Sequence, residues 1–293
     1  MRAIWKIISS KPEGASVFSG GRHVRPLIVV RSPRARQMRL VVSPADGSVR
    51  LTIPRRAGLG DAQRWAESKR GWVEAQLAAL PDPQPIHPGM SVPFAGEALT
   101  LAWSANLPRK PRRAGSTLQA GGPHDTLAPR ILRWLKSEAQ TLLDSESREL
   151  ADRLGVTLGR IGVGDPVSRW GSCSASGDLR FSWRLILAPE FVRRATVAHE
   201  VAHRIHMNHG PQFHALVATL LGADPGPARR WLRTHGARLH WFGRSPCGSS
   251  SDGGLPLSSG APGLDARSSA DAGGLPTGLP SSSTKTPVSG PPK

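Results

Sequence analysis

Residues 190–214 read EFVRRATVAHEVAHRIHMNHGPQFH, and the interpretation of the whole chain starts from this stretch. Its apolar residues recur at helical spacing, which predicts a helix from Pro189 to Met207. His199 and His203 are four residues apart, so both imidazoles project from one face of that helix, about 6 Å apart along its axis. Two imidazole nitrogens at this spacing can bind one Zn²⁺ at about 2.0–2.1 Å each.

Glu200 follows the first of these histidines and is turned from it by about a hundred degrees around the helix axis. A carboxylate in that position can hold a water molecule beside the ion without ligating the ion itself. The pattern H-E-x-x-H is typical of metal-dependent hydrolases in which the glutamate acts as general base. We therefore predict that Glu200 is the catalytic acid and base.

A catalytic zinc site needs a third protein ligand and one open position. His206 is seven residues from His199, about 10 Å along the axis, so it cannot share the same ion, and we expect it to line the cleft or face solvent. Residues 208–211 read NHGP, a helix stop at which the chain can turn back. We predict His209 as the third ligand of a single zinc ion. His214 and a distant acidic residue remain alternatives.

The segment SRWGSCS at residues 168–174 is the second informative stretch, and a turn-rich loop joins it to the strand-like residues 179–183. This pattern predicts a hairpin. Gly171 and Ser172 are small and would let a substrate backbone approach an edge strand closely. Cys173 is predicted to be a small packing residue, because a fourth protein ligand would leave no position for water.

Arg169 in the same segment has two interpretations. It could stabilise a developing oxyanion or bind a phosphate group. It could equally form an ordinary ion pair with Glu190 or Asp178. The two tryptophans of this region, Trp170 and Trp183, either belong to the site or pack behind the metal helix.

Elsewhere the chain alternates strand and helix patterns, with no internal repeat visible in the sequence. Three β-rich runs predict an antiparallel meander, and a basic, Pro- and Gly-rich stretch predicts a loop. In chain order the predicted elements are the meander at 26–54, a helix at 61–80, strands at 90–93 and 98–103, the loop at 105–126, a helix at 129–154 ended by Gly155, strands at 157–163, 169–173 and 179–183, and helices at 211–221 and 227–235.

The net charge of +18 over 293 residues is unevenly distributed. Residues 1–136 carry 22 basic and 8 acidic side chains, a net charge of +14, whereas residues 137–242 carry a net charge of +3. Such a surplus either keeps the surface solvated or attracts a polyanion such as nucleic acid or nucleotide phosphates. We expect at most a weak nucleic-acid contact through the basic N-terminal half.

Several classes of protein are excluded. The sequence has no run of 18 apolar residues, so no membrane contact is expected. Its two cysteines cannot build a disulfide framework, and the first apolar run is broken by Lys6 and is too short for an export signal, so we expect a cytoplasmic protein. The Ser-, Gly- and Pro-rich residues 243–293 are expected to be a disordered tail, and residues 1–24 a poorly ordered extension.

The combination of SRWGSCS at 168–174, FSWRLILAP at 181–189, HEVAH at 199–203 and Asn208-His209 resembles the YgjP-like family of metal-dependent hydrolases. The resemblance covers residues 25–242, including RRWL at 229–232, and the family is related to the SprT-like and WLM zinc proteases. The resemblance departs from the family pattern at His214, where the family commonly has Trp.

The resemblance implies an α+β fold with a compact zincin-like core, in which the active-site helix packs against a small antiparallel sheet. It implies that His199, His203 and His209 bind the metal and that Glu200 is the catalytic acid and base. It also implies that a strand flanking the helix binds peptides by strand addition.

Three functions remain open at this point. A zinc-dependent peptidase acting on peptides or proteins is favoured. The alternatives are a metal-dependent hydrolase of a phosphorylated small molecule, for which nucleotide pyrophosphatase activity has been attributed within the family, and a nucleic-acid-docking module with a zinc site.

Overall fold

The computed structural model describes residues 16–245, so the predictions for residues 1–15 and 246–293 lie outside the described residues. The α+β class is confirmed. Within residues 16–245 none of the helices combines the length and hydropathy that a membrane span needs. In chain order the elements are β1 Val17–Gly20, β2 His23–Ser32, β3 Arg39–Val42, β4 Val49–Pro54, α1 Leu59–Glu67, α2 Arg70–Ala78, β5 Ser91–Phe94, β6 Glu97–Trp103, β7 Arg112–Ala114, β8 Thr117–Ala120, α3 Leu127–Leu154, β9 Ile161–Gly164, β10 Gly171–Cys173, β11 Leu179–Ser182, α4 Glu190–Ala202, α5 Pro211–Leu221 and α6 Gly226–Trp241.

The first sheet has the strand order β1-β2-β4-β3, so the predicted meander is wrong. β2 and β4 pair in parallel, and β3 is the outer strand beside β4. Burial explains this order: Val49, Leu51 and Ile53 of β4 are fully buried, whereas β3 exposes Arg39. The most apolar strand therefore takes a central position. The sheet also includes residues 17–24, which the sequence analysis assigned to the N-terminal extension.

The helix predicted at 61–80 is two helices, α1 and α2, separated at Ser68 and Lys69. The Ser68 hydroxyl donates to the carbonyl of Trp65 at 2.7 Å, a local bond that competes with helix continuation. The break lets both helices face the sheet. Their buried residues form a separate core with the first sheet, which contains Phe18, Leu27, Val49, Leu51, Ile53, Ala62, Ala66, Val73 and Leu77.

The second sheet has the order β5-β6-β8-β7, so part of the predicted loop at 105–126 is a hairpin. Leu118 and Ala120 of β8 are fully buried and alternate with half-buried Thr117 and Gln119, a pattern hidden by the basic residues around it. β8 pairs in parallel with β6, as β4 does with β2. The first two sheets therefore share one topology, a structural repeat that the sequence does not reveal.

The third sheet, β10-β11-β9, packs against α4, the helix that carries His199, through β10. β10 and β11 form the predicted antiparallel hairpin, but β9 joins β11 in parallel, so the sheet is mixed. The long helix α3 ends at Gly155, whose φ of 64° gives the predicted left-handed cap. α6 continues past Gly236, where the sequence predicted a stop. The glycine serves packing instead, because a Cβ there would lie 2.8 Å from the Trp170 ring.

The side chain of Trp241 joins the first sheet to the rest of the fold. Its indole Nε1 donates to the carbonyl of Pro44 at 2.9 Å, and its ring lies 4.6 Å from that of His23. The Trp241 carbonyl accepts from the backbone of Gln84 at 3.0 Å. His23 begins β2 and Pro44 follows β3, so these contacts hold the sheet by one end.

A buried ion pair fixes α4 against α3. The Arg193 guanidinium donates to both Glu146 oxygens at 3.0–3.1 Å, and both side chains are less than a tenth exposed. The neighbouring pair between Arg194 and Glu149 is more exposed. A buried pair is costly to break because removing one partner leaves the other charge in a low dielectric.

Glu146→Leu is expected to lower the free energy of unfolding by about 3–5 kcal/mol, because Arg193 then remains buried and unpaired. The matched control Glu149→Ala removes an exposed partner and should cost about 0–1 kcal/mol. Urea unfolding of both variants measures the difference. Equal losses of unfolding free energy in the two variants would show that the buried pair does not hold α4. The double variant Glu146→Leu/Arg193→Met should recover part of the free energy lost in Glu146→Leu, because it removes the unpaired charge.

Candidate metal centre

Three histidines converge at the end of α4. One ring nitrogen from each of His199, His203 and His209 lies within 4.8 Å of the others. The Nε2 atoms of His199 and His209 are 3.1 Å apart, and the ring centroids of the three pairs are separated by 4.8–5.0 Å. The third histidine named by the sequence analysis therefore faces the two on the helix.

The convergence depends on where α4 ends. The helix stops at Ala202, one turn earlier than predicted, and a turn follows through residues 203–206. His203 Nδ1 lies 3.0 Å from the carbonyl oxygen of His206. If His203 carries its proton on Nδ1, it donates that hydrogen bond, and Nε2 keeps a lone pair that can bind a metal ion.

Phe213 forms the floor beneath the three imidazoles, a role that the sequence analysis did not assign. Its ring is fully buried on α5, and its centroid lies 4.6–4.8 Å from those of His199, His203 and His209. The apolar periodicity of α5 identifies Phe213 as a core residue, but only the turn at 203–210 places it under the histidines. His214, the alternative ligand, is exposed, with its ring 6.5 Å from that of His209.

Burial keeps the three imidazoles neutral, which is the form that binds metal. Desolvation, with the charges of His203 and His209, lowers the pKa of His199 to about 3. Desolvation also lowers the pKa of His203 and that of His209. The three neutral imidazole rings can therefore face one another at neutral pH without charge repulsion between them.

Glu200 follows His199 on α4, and its carboxylate is buried, with 6% of the residue surface exposed. Desolvation raises the pKa of Glu200 to about 8, although the positive charge of Arg169 opposes the rise. Within residues 16–245 no hydrogen bond or ion pair engages this carboxylate. Its proton affinity is thus that of a group able to accept and return a proton near neutral pH.

Gly171 of β10 packs directly against Glu200. A Cβ at this position would lie 2.5 Å from Glu200 Oε1 and 2.6 Å from Cγ. The sequence analysis predicted that the missing side chain of Gly171 would leave room for a substrate backbone. On the face of β10 where that side chain would lie, Glu200 occupies the space. A glycine here lets the edge strand and the metal helix approach each other.

The remaining predicted residues lie around this contact. Ser172 is half-buried on β10, and Arg169 is exposed just before that strand, without an ion pair among the described residues. Cys173 is a half-buried free thiol and is outside the histidine cluster. Trp170 packs on α6 against His240, with ring centroids 5.0 Å apart, and Trp183 is buried in the core.

The donor set fits a zinc ion. Tetrahedral Zn²⁺ with metal–nitrogen distances of about 2.0–2.1 Å places two ligand nitrogens about 3.3 Å apart. The 3.1 Å separation of the His199 and His209 Nε2 atoms is close to this value. Three neutral imidazoles and no thiolate or carboxylate in the cluster leave a fourth position open.

Three imidazoles together with a buried carboxylate are typical of metal-dependent hydrolases. A comparison with protein-family models matches residues 36–235 to the YgjP-like metallopeptidase domain. The chain belongs to that family. Comparisons with curated proteins and with solved structures gave no match.

Gly171→Ala tests the packing between β10 and Glu200. The added methyl group must displace the Glu200 carboxylate, since the two would otherwise lie 2.5 Å apart. We expect the variant to keep its metal content and to lose about 100-fold in hydrolysis rate, the effect of misplacing a reacting group by about 1 Å. Ser172→Ala, on the same strand, is the control and should retain most of the hydrolysis rate. Equal losses of rate in the two variants would show that the contact between Gly171 and Glu200 does not position the carboxylate.

Proposed function

We propose that this protein is a zinc-dependent peptidase that cleaves unfolded polypeptide chains, with one Zn²⁺ held by His199, His203 and His209. The observation that carries the proposal is the convergence of these three neutral imidazoles beside the buried Glu200 carboxylate. The family match favours a peptide bond over the alternatives. We further expect the protein to act in the cytoplasm, because its two cysteines cannot build a disulfide framework.

When bound, Zn²⁺ would act as a Lewis acid and lower the pKa of water to about 7, so that a nucleophile is available at neutral pH. Glu200 takes the proton from the attacking water at a carboxylate oxygen. It then gives the proton to the nitrogen of the leaving amine. Burial of Glu200 raises the pKa of its carboxyl group, which makes the carboxylate form a stronger base than an exposed glutamate would be.

β10 supplies an edge along which a peptide can bind. It is the outer strand of the third sheet and pairs only with β11 among the described residues. An extended peptide added to the free edge would form backbone hydrogen bonds with residues 171–173. These bonds would depend little on the side chains of the peptide. Contact between Gly171 and Glu200 sets this edge next to the proton acceptor.

Arg169 is the residue that we propose to act on charge near the scissile bond. It is exposed at the start of the substrate edge, and its positive charge reaches Glu200 strongly enough to oppose the rise of the pKa of that group. A guanidinium in this position can stabilise the negative charge that develops on a carbonyl oxygen during attack. Ser172, one residue into the strand, lies within the same edge.

Glu200→Gln tests the proposal directly. The amide cannot accept a proton, so we expect cleavage of casein by the zinc-loaded protein to fall by at least about 100-fold. Zinc content should match that of wild type, since Glu200 is outside the histidine cluster. Cleavage products are measured by mass spectrometry and zinc by elemental analysis.

The same two proteins are assayed against peptides and nucleoside triphosphates. Cleavage of casein at wild-type rate by Glu200→Gln would remove the assigned base. Release of pyrophosphate by wild type, with no proteolysis, would replace the peptidase with a hydrolase of phosphorylated small molecules.

A further inference from the structure

The ends of three strands meet at one end of the first sheet. Because β2 and β4 are parallel, Ser32 pairs with Pro54 where both strands finish. β3 is antiparallel to β4 and begins there, with Arg39 opposite Thr52. The segments 33–38 and 55–58 that follow β2 and β4 are thus brought together by the strand order rather than by the sequence.

These segments and the first residue of β3 carry five exposed arginines, which we call the distal arginine cluster: Arg34, Arg36, Arg39, Arg55 and Arg56. Within residues 16–245 none of the five side chains forms an ion pair or a hydrogen bond. A depression of about 470 Å³ lies at the same place and is lined by Arg36, Gln37 and Pro54, among others. The carboxylate in its lining, Asp61, is already paired with Arg64.

The distal arginine cluster lies at one end of the first sheet, whereas His199, His203 and His209 belong to elements outside that sheet. The opposite end of the sheet is the one held by Trp241, through Pro44 and His23. β2 runs from that end to the cluster over ten residues, a span of about 30 Å for an extended strand. The cluster therefore belongs to a different part of the fold from the histidines, and its charge needs an explanation of its own.

The five guanidinium groups are exposed and form no ion pair in the described part of the chain. A partner with closely spaced negative charges would supply the counter-charges that they lack. Guanidinium groups bind phosphate oxygens through two parallel hydrogen bonds, a geometry that lysine cannot match. Duplex nucleic acid presents one phosphate charge for about every 1.7 Å along its axis.

The chemistry of the cluster favours a duplex over a single strand. Proteins that bind single strands add aromatic side chains on which bases stack. The segments 33–39 and 54–58 contain no Phe or Trp, and Tyr is absent from the whole chain. We propose that the distal arginine cluster binds the sugar–phosphate backbone of duplex nucleic acid, without reading base sequence and independently of the metal centre.

The full-length protein is titrated into labelled DNA and RNA duplexes of unrelated sequence, with fluorescence anisotropy as the readout, between about 50 and 200 mM salt. Arg34→Ala/Arg36→Ala/Arg56→Ala is compared with a control that removes the same charge elsewhere, Arg133→Ala/Arg233→Ala/Arg238→Ala. All six arginines are exposed, and the three control residues also form no ion pair among the described residues. Urea unfolding of both variants confirms that each is folded.

Wild type and the control variant are expected to bind a duplex alike, whereas the cluster variant should bind at least about tenfold more weakly at 100 mM salt. Its slope of log affinity against log salt should be smaller by about 0.9 for each phosphate that the cluster no longer neutralises. Glu200→Gln should bind as wild type does, so failure of the proposed peptidase leaves this result intact.

Three results would overturn the proposal. Equal weakening in the cluster and control variants would show that only total charge matters. Absence of duplex binding by wild type at about 50 mM salt would remove the site altogether. Tighter cluster-dependent binding to a single strand, or to vesicles of anionic phospholipid, would assign the arginines to a different partner.

Discussion

The fold around the histidines depends on one geometric constraint: two imidazoles from a helix and one from the chain that follows must meet at a single point. A straight helix cannot supply the third nitrogen, because each further turn moves it about 5.4 Å away. α4 therefore ends at Ala202, and the turn at 203–206 returns the chain so that His209 faces His199. α5 then begins at Pro211 and brings the Phe213 ring beneath all three imidazoles.

The second constraint is the burial of a carboxylate beside these rings. Burying Glu200 without a partner costs free energy, which the pKa of about 8 expresses. The cost is tolerated because close packing elsewhere holds the helix: Arg193 and Glu146 fix α4 to α3, and the absence of a side chain at Gly171 lets β10 close over the glutamate. The group that the proposed reaction uses is thus one whose charged form the fold destabilises.

What the sequence predicts well is local. The i, i+4 histidines, the start of α5 at Pro211 and the left-handed cap at Gly155 depend on neighbouring residues, and each is found where the pattern indicates. The strand orders of the first two sheets could not be predicted, because a parallel pairing such as β2 with β4 depends on residues about twenty positions apart. Gly236 was misleading for the same reason: its neighbour Trp170 comes from a distant strand segment. The family model matches residues 36–235, in agreement with the resemblance identified from the motifs.

The same non-local pairing brings Arg34, Arg36, Arg39, Arg55 and Arg56 together at the end of the first sheet farthest from Trp241. These arginines belong to a different part of the sequence from His199, His203 and His209. The central claim concerns those histidines, and X-ray absorption at the zinc edge of the zinc-loaded protein tests it most directly. We predict three imidazole nitrogens at about 2.0–2.1 Å and one further light atom. A sulfur ligand at about 2.3 Å, which would mean that a cysteine joins the site, or fewer than three imidazoles, would contradict this prediction.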